Sequence, residues 1–156
     1  MEDEDLHYLA GIIDADGSIR VGVQKVDRAK HGFYIAPEIT VSGGSTRHDL
    51  FRELVNELDC SSHFDTLSNG KDEWDDTQVN GKSALVVIEK VEPYLREKRP
   101  IAQRILEEDW DGNTQSQGRT EEEYRSLVQC REDVGEMLGN AGRRHYDTEH
   151  LIKQLG

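Results

Sequence analysis

Residues 9–17 read Leu9-Ala10-Gly11-Ile12-Ile13-Asp14-Ala15-Asp16-Gly17, and this stretch carries more structural instruction than any other in the chain. It is one helical face of Leu and Ile around an Ala-Gly pair, ending in two carboxylates and a glycine. Neither Ala10 nor Gly11 has the bulk to hold a second backbone away, so a close approach is expected there. Gly17 is expected to stop the helix through its permissive backbone. Asp14 and Asp16 are thereby delivered at the end of a tightly packed helix. Carboxylates are hard oxygen ligands, suited to Mg²⁺ or Ca²⁺.

Working outward, Asp3 or Asp5 is placed to cap this first helix, which runs to about Ile13. Ser18 to Lys25 alternates apolar with polar or small residues, the pattern of a half-buried strand. Asp27 to Gly32 reads as a polar turn and Phe33 to Ser42 as a second strand, which Gly43-Gly44-Ser45 breaks. Leu50, Phe51, Leu54, Val55 and Leu58 then recur at helical spacing behind a capping candidate at Ser45 or Thr46. A second hairpin, about 62–68 and 72–79, flanks the turn pair Asn69-Gly70. Ala84 to Ile88 is β-branched enough for a strand. Yet Leu85, Ile88, Val91 and Leu95 sit three to four apart and Ser83 can cap, so the spacing predicts a helix. Pro93 interrupts that helix or starts the next turn, and Pro100 opens another. Thr120-Glu-Glu-Glu123 is a capping box ahead of an amphipathic helix ended by Gly139.

The chain has 156 residues, enough for one cored domain and short for two. It carries 32 acids against 19 bases, a formal charge of −13, which is the wrong sign for a protein that binds nucleic acid. The distribution qualifies the total. Residues 18–52 and 82–104 each come to +3, whereas 1–17 hold six acids and no base. Two locally basic segments thus sit in an acidic chain, and a local basic face is what DNA binding requires. Arg outnumbers Lys twelve to seven and Asp is nearly as common as Glu, which together point to a salt-rich cytoplasm. At molar salt the Debye length falls to about 3 Å, so repulsion from DNA is largely screened. The counterion-release gain from phosphate contacts is screened with it.

Several classes are excluded. Cys60 and Cys130 lie far apart without a CxxC pair, against a zinc site or a disulfide framework and in keeping with a reducing interior. The acidic start is unlike the basic region of a signal peptide, and the longest apolar run, Ala84 to Ile88, is far too short for a bilayer. No membrane partner and a cytoplasmic location are therefore expected. His145 and His150 are five apart, a poor metal spacing, and read as structural.

Residues 9–17 resemble the signature of the LAGLIDADG homing endonucleases, matching at every position but one, where Ile12 replaces Leu. Glu92-Pro-Tyr-Leu-Arg-Glu-Lys98 is similar to the family's Pro-Tyr-Leu-x-x-Lys element, and the predicted order αββαββα is that of the family core. The resemblance covers roughly residues 4–108. It implies an α+β fold whose antiparallel sheet forms a DNA-binding saddle. Residues 1–108 make the endonuclease core, and 109–156 a C-terminal helical extension packed on the same domain. A single signature implies a homodimer whose signature helices pack along a twofold axis, with Leu9, Ala10, Gly11 and Ile13 at the interface. That axis sets Asp16 beside its symmetry mate, an arrangement that calls for divalent cations between the carboxylates. It also implies a pseudo-palindromic double-stranded DNA target.

The activity implied is metal-assisted phosphodiester hydrolysis, with Asp16 and Lys98 as the catalytic residues. Asp16 and the Ala15 carbonyl would bind Mg²⁺, with Mn²⁺ or Ca²⁺ able to substitute in binding. Arg20, Gln24, Tyr34, Glu38, Thr40 and Arg47 are the expected DNA contacts; Arg suits guanine and Gln adenine. Asp14 has a weaker claim, in helix termination or water structure. Three departures stand out. Gly43 takes a position where the family often carries a polar side chain such as Gln. Lys98 is followed by Arg99-Pro100-Ile101 rather than a polar run. Residues 109–156 lie outside the resemblance, and Arg143 and Arg144 there could add DNA contacts. The alternatives are a cleavage-deficient member acting as an RNA maturase or DNA-binding regulator, and an acidic interaction protein or DNA mimic.

Overall fold

The computed structural model of the chain describes residues 1–28, 31–43, 45–110, 120–139 and 148–154. Helix α1 (Asp3–Asp16) runs directly into strand β1 (Gly17–Lys25), followed by β2 (Phe33–Gly43) and α2 (Ser45–Glu57). A second hairpin, β3 (His63–Ser68) and β4 (Glu73–Asn80), leads into α3 (Gly81–Val91). A 3₁₀ turn (Glu92–Tyr94), α4 (Arg99–Leu106), α5 (Glu121–Met137) and α6 (Thr148–Lys153) complete the order. The first seven elements are the expected αββαββα. The four strands form one antiparallel sheet in the order β1-β2-β4-β3.

Alternation in the strands puts Ile19, Val21, Ile35, Ile39, Val41 and Val79 on the covered face. Leu9 and Ile13 of α1, Phe51 and Val55 of α2, and Ala84, Val87 and Ile88 of α3 meet them there. Each fully buried Leu, Ile or Phe contributes about 1.5–3 kcal/mol. The same cluster continues through Ile101 and Ile105 to Tyr124, Leu127, Val128, Val134 and Leu151. Helix α5 lies against β1 and α4, and α6 against α5. Arg104 ties α4 to α5, its guanidinium 3.0 Å from Glu108 and 2.9 Å from Asp133.

Some local signals in the sequence are realised in the structure and others are not. Gly70 has φ +88°, and Asn69 Oδ1 accepts from the Lys71 and Asp72 amides at 2.9 and 2.8 Å, closing the hairpin. The capping box is present, Thr120 Oγ1 accepting from the Glu123 amide at 3.1 Å and Glu123 Oε2 from the Thr120 amide at 3.0 Å. Helical spacing overrides β-branching over residues 81–91, because Ala84, Val87, Ile88 and Val91 all reach the core on one face. Asp3 and Asp5, by contrast, lie inside the first turn of α1, where Glu2 is the N-cap and no side chain caps. Their charges still oppose the positive helix end. Ser83 is inside α3, whose N-cap is Asn80; its hydroxyl accepts from the Ser61 amide at 3.1 Å instead. Ser45 and Thr46 lie within α2, and the position ahead of them is outside the described residues, as are Arg143, Arg144 and His145.

Gly17 acts differently from the expectation. Its φ of −103° and ψ of 174° are extended backbone open to any residue, so conformational freedom is not what the position uses. Space is. A Cβ there would lie 2.9 Å from the Ile13 carbonyl oxygen and 3.2 Å from that of Thr40, both backbone atoms that cannot swing away. Gly17→Ala is expected to destabilise the fold by about 1–3 kcal/mol, read as a lower urea-unfolding midpoint; an unchanged midpoint would show that α1 and β2 are not in this close contact.

Candidate functional site

Asp16, the last residue of α1, is exposed beside the equally exposed Ala15. Arg47, in the first turn of α2, reaches it: Nη1 lies 3.0 Å from Asp16 Oδ2. Close to the Arg47 guanidinium lies Gly43, the last residue of β2, at φ +137°, a backbone state that side chains disfavour. The neighbouring His48 is fully buried, with Nε2 3.0 Å from the Gly43 carbonyl oxygen and Nδ1 2.7 Å from Thr77 Oγ1. A carbonyl only accepts, so Nε2 donates; in the neutral ring Nδ1 then accepts from the Thr77 hydroxyl. The bend that follows β2 is thus tied to β4 from below.

Lys98 arrives from the other side. Asp14 Oδ2 accepts from the Arg96 amide at 2.7 Å and Oδ1 from the Lys98 amide at 3.0 Å, while Lys98 Nζ donates to the Asp14 carbonyl oxygen at 2.5 Å. The loop between the 3₁₀ turn and α4 is therefore clamped to the end of α1. The ammonium sits at the negative end of the helix dipole, where a cation is favoured. The sequence suggests helix termination or water structure for Asp14; in the structure it ties the Lys98 loop to the end of α1. Nothing in the spacing 14-to-96 could have signalled that contact, because it exists only once α3 and the turn after it have packed.

The sheet face turned away from the core carries the expected reading residues. Arg20 is opposite Glu38, and Gln24 opposite Tyr34. Beyond β2, Glu38 faces Asn80, Thr40 faces Gln78, and Ser42 faces Asp76, which faces Asp65 on β3. Gln78 and Asn80 were missed in the sequence; their alternation with Thr77 and Val79 was visible, but which face it belonged to was not. Arg20 Nε is 2.7 Å from Glu38 Oε2, and that carboxylate lies over Gly22, where a Cβ would meet it at 2.1 Å. Ser42 Oγ donates to Asp76 Oδ1 at 2.8 Å. Thr40 is a correction: its hydroxyl oxygen is buried and finds no hydrogen-bond partner among the described residues, so it is not offered to a base.

The expected dimer residues also need correction. Leu9, Ala10 and Ile13 are buried in this chain's own core, at no more than 1% exposure. Only Gly11 of that set is exposed, within a stripe formed by Glu4, Tyr8, Gly11 and Ala15. The large apolar residues and Ala10 face the chain's own core, whereas Gly11 and Ala15 stay exposed.

As to metal, Asp16 and the Ala15 carbonyl present hard oxygens at an open helix end, which fits Mg²⁺. Among the described residues no group of three His, Cys, Asp or Glu is gathered to hold an ion. The two thiols take no part. Both are buried; burial pushes Cys130 up to about 12 and raises Cys60 as well.

The chain is 29% identical over 100 residues, 64% of its length, to the DNA endonuclease I-CvuI of Chlorella vulgaris, and the match spans 60% of that protein. No protein-family model matches it. In fold it is similar to the homing endonuclease I-CvuI in complex with DNA, at TM-score 0.76 and 20% identity, covering 98% of this chain and 93% of that one. The archaeal intron-encoded homing endonuclease I-Vdi141I complexed with DNA gives TM-score 0.74 and 15% identity, over 99% and 96% of the two chains. The LAGLIDADG homing endonuclease I-SmaMI, bound to cleaved DNA, gives TM-score 0.61 and 15% identity, over 96% of this chain but 46% of that one. No described helix is long and apolar enough to cross a membrane.

The Asp14 clamp predicts a measurable cost. Asp14→Ala leaves the Arg96 and Lys98 amides without their acceptors and should lower stability by about 1–3 kcal/mol in urea unfolding. Asp14→Asn, which keeps one oxygen, should recover part of it. Equal stability of wild type and Asp14→Ala would mean that the loop is held by other contacts.

Proposed function

We propose that this chain, which has the fold of the LAGLIDADG homing endonucleases and a curated DNA endonuclease as homologue, is a site-specific endonuclease that works as a homodimer on long pseudo-palindromic double-stranded DNA. The observation that carries the reading is that the helix closed by Asp16 also holds Lys98, through the Asp14 carboxylate and carbonyl, beside a sheet face lined with hydrogen-bonding side chains. The match to 46% of I-SmaMI supports the dimer, since two copies would fill the frame of one such chain. Gly11 and Ala15 on the exposed stripe of α1 leave room for a second helix, and Tyr8 on the same stripe is 57% exposed.

In this reading Asp16 and the Ala15 carbonyl of each copy hold Mg²⁺, and Mn²⁺ or Ca²⁺ can substitute in binding. Such an ion supplies an acidified water and charge stabilisation at the attacking and leaving oxygens. Lys98 offsets negative charge at the phosphate. Asp14 keeps the Lys98 backbone in place. Arg20 and Gln24 read base edges in the major groove, Arg favouring guanine and Gln adenine. Glu38, paired with Arg20 in the free protein, becomes an acceptor for cytosine when Arg20 turns to a base. Tyr34 and Arg47 add contacts to the same strand of approach. We further propose residues 1–108 as the endonuclease core and 109–156 as its helical extension. The surplus of carboxylates fits a salt-rich cytoplasm as the place of work.

The two other readings are weaker. A maturase or regulator has no use for Lys98 at the end of the signature helix, and a DNA mimic has no use for either catalytic residue. Incubation with a randomised duplex library in high-salt buffer with Mg²⁺, followed by end sequencing, is expected to give discrete paired cuts that Asp16→Asn abolishes. Selective binding without cutting under any divalent metal would favour the regulator; neither binding nor cutting would leave the fold as a scaffold and overturn the proposal.

A further inference from the structure

Asp16 is not a free carboxylate in this fold. One of its oxygens is engaged by Arg47 at 3.0 Å, with 43% of the arginine side chain and 35% of the aspartate still exposed. Two features of the chain build that contact. Arg47 leaves the first turn of α2, whose start lies close to the end of β2, and crosses the space over Gly43. A Cβ on residue 43 would stand 2.9 Å from Nη1, on the path the guanidinium now takes. His48, the next residue along, holds the Gly43 carbonyl and Thr77 together, so the backbone under that path is fixed.

We propose that Arg47 is a built-in counterion that occupies the Asp16 carboxylate in the DNA-free protein and has to release it before a divalent cation can bind. The inference rests on the reading of Asp16 as a metal ligand. A guanidinium and a metal ion compete for the same oxygen lone pairs, and a cation that displaces Arg47 leaves it nearby as a repelling charge. A half-exposed ion pair is weak, on the order of 0–1 kcal/mol, so the latch is easily opened. DNA opens it: a phosphodiester offers Arg47 two non-bridging oxygens, which the planar fork of a guanidinium can hold together. Metal binding and DNA binding then favour one another, as linkage requires. Gly43 lies against the guanidinium, which would have to shift to make room for a Cβ there, and its φ of +137° disfavours a side chain in any case.

The test is Mn²⁺ binding to the DNA-free full chain, followed through the EPR signal of the free ion. Arg47→Gln should bind Mn²⁺ about two- to fivefold more tightly than wild type, Arg47→Lys should fall between them, and Asp16→Asn should remove the site. The gap should narrow at molar KCl, where the Debye length is about 3 Å and the ion pair is screened. Asp16-dependent binding of equal strength in wild type and Arg47→Gln would overturn this inference alone. Binding indifferent to Asp16 would overturn both it and the metal assignment.

Discussion

Helix α1 passes into strand β1 without a loop, Asp16 closing one and Gly17 opening the other, and the rest of the site depends on that junction. A connection of no length needs backbones in direct contact, and only a residue without Cβ allows it between the Ile13 and Thr40 carbonyls. Because the helix end cannot drift, its carbonyls and carboxylates have fixed directions. Asp14 turns to the loop that carries Lys98, and Asp16 to Arg47. A looser junction would leave the same residues present and the geometry absent.

The electrostatics follow from the excess of acid. In a chain of net charge −13 carboxylates are abundant partners for exposed bases, and both Arg20 and Arg47 are paired this way. Such pairs are worth little in water and less in salt. They hold each side chain in a defined place while leaving it exchangeable for a stronger anionic partner. On the proposed function, such paired bases are oriented for an incoming phosphate and yet uncommitted. The buried polar contacts are different in kind. His48, Thr77 and the Gly43 carbonyl satisfy each other away from water, where leaving any one unpaired would be costly.

Much of the framework was legible in the residues. Alternation over 18–25, spacing over 81–91, the Asn69-Gly70 turn and the Thr120 capping box each act over a few residues, so their physics is complete in the local sequence. Caps were less legible, because Asp3, Asp5 and Ser83 compete with neighbours that a pattern does not rank. Leu9, Ala10 and Ile13 were misplaced for a related reason. An apolar helical face says that something will cover it, and here the chain's own sheet does so, leaving Gly11 and Ala15 outside.

By itself the sequence determined the order of elements, the position of Asp16 at the end of a close-packed helix and the presence of Lys98 after the second hairpin, because spacing and composition specify local structure. Tertiary structure alone decided that Asp14 holds the Lys98 loop, that Arg47 crosses Gly43 to Asp16, and which face of α1 remains open. Those contacts join residues up to 84 positions apart. No local pattern encodes them, since they come into being only when sheet, helices and turns share one core and each fixes the direction of the next.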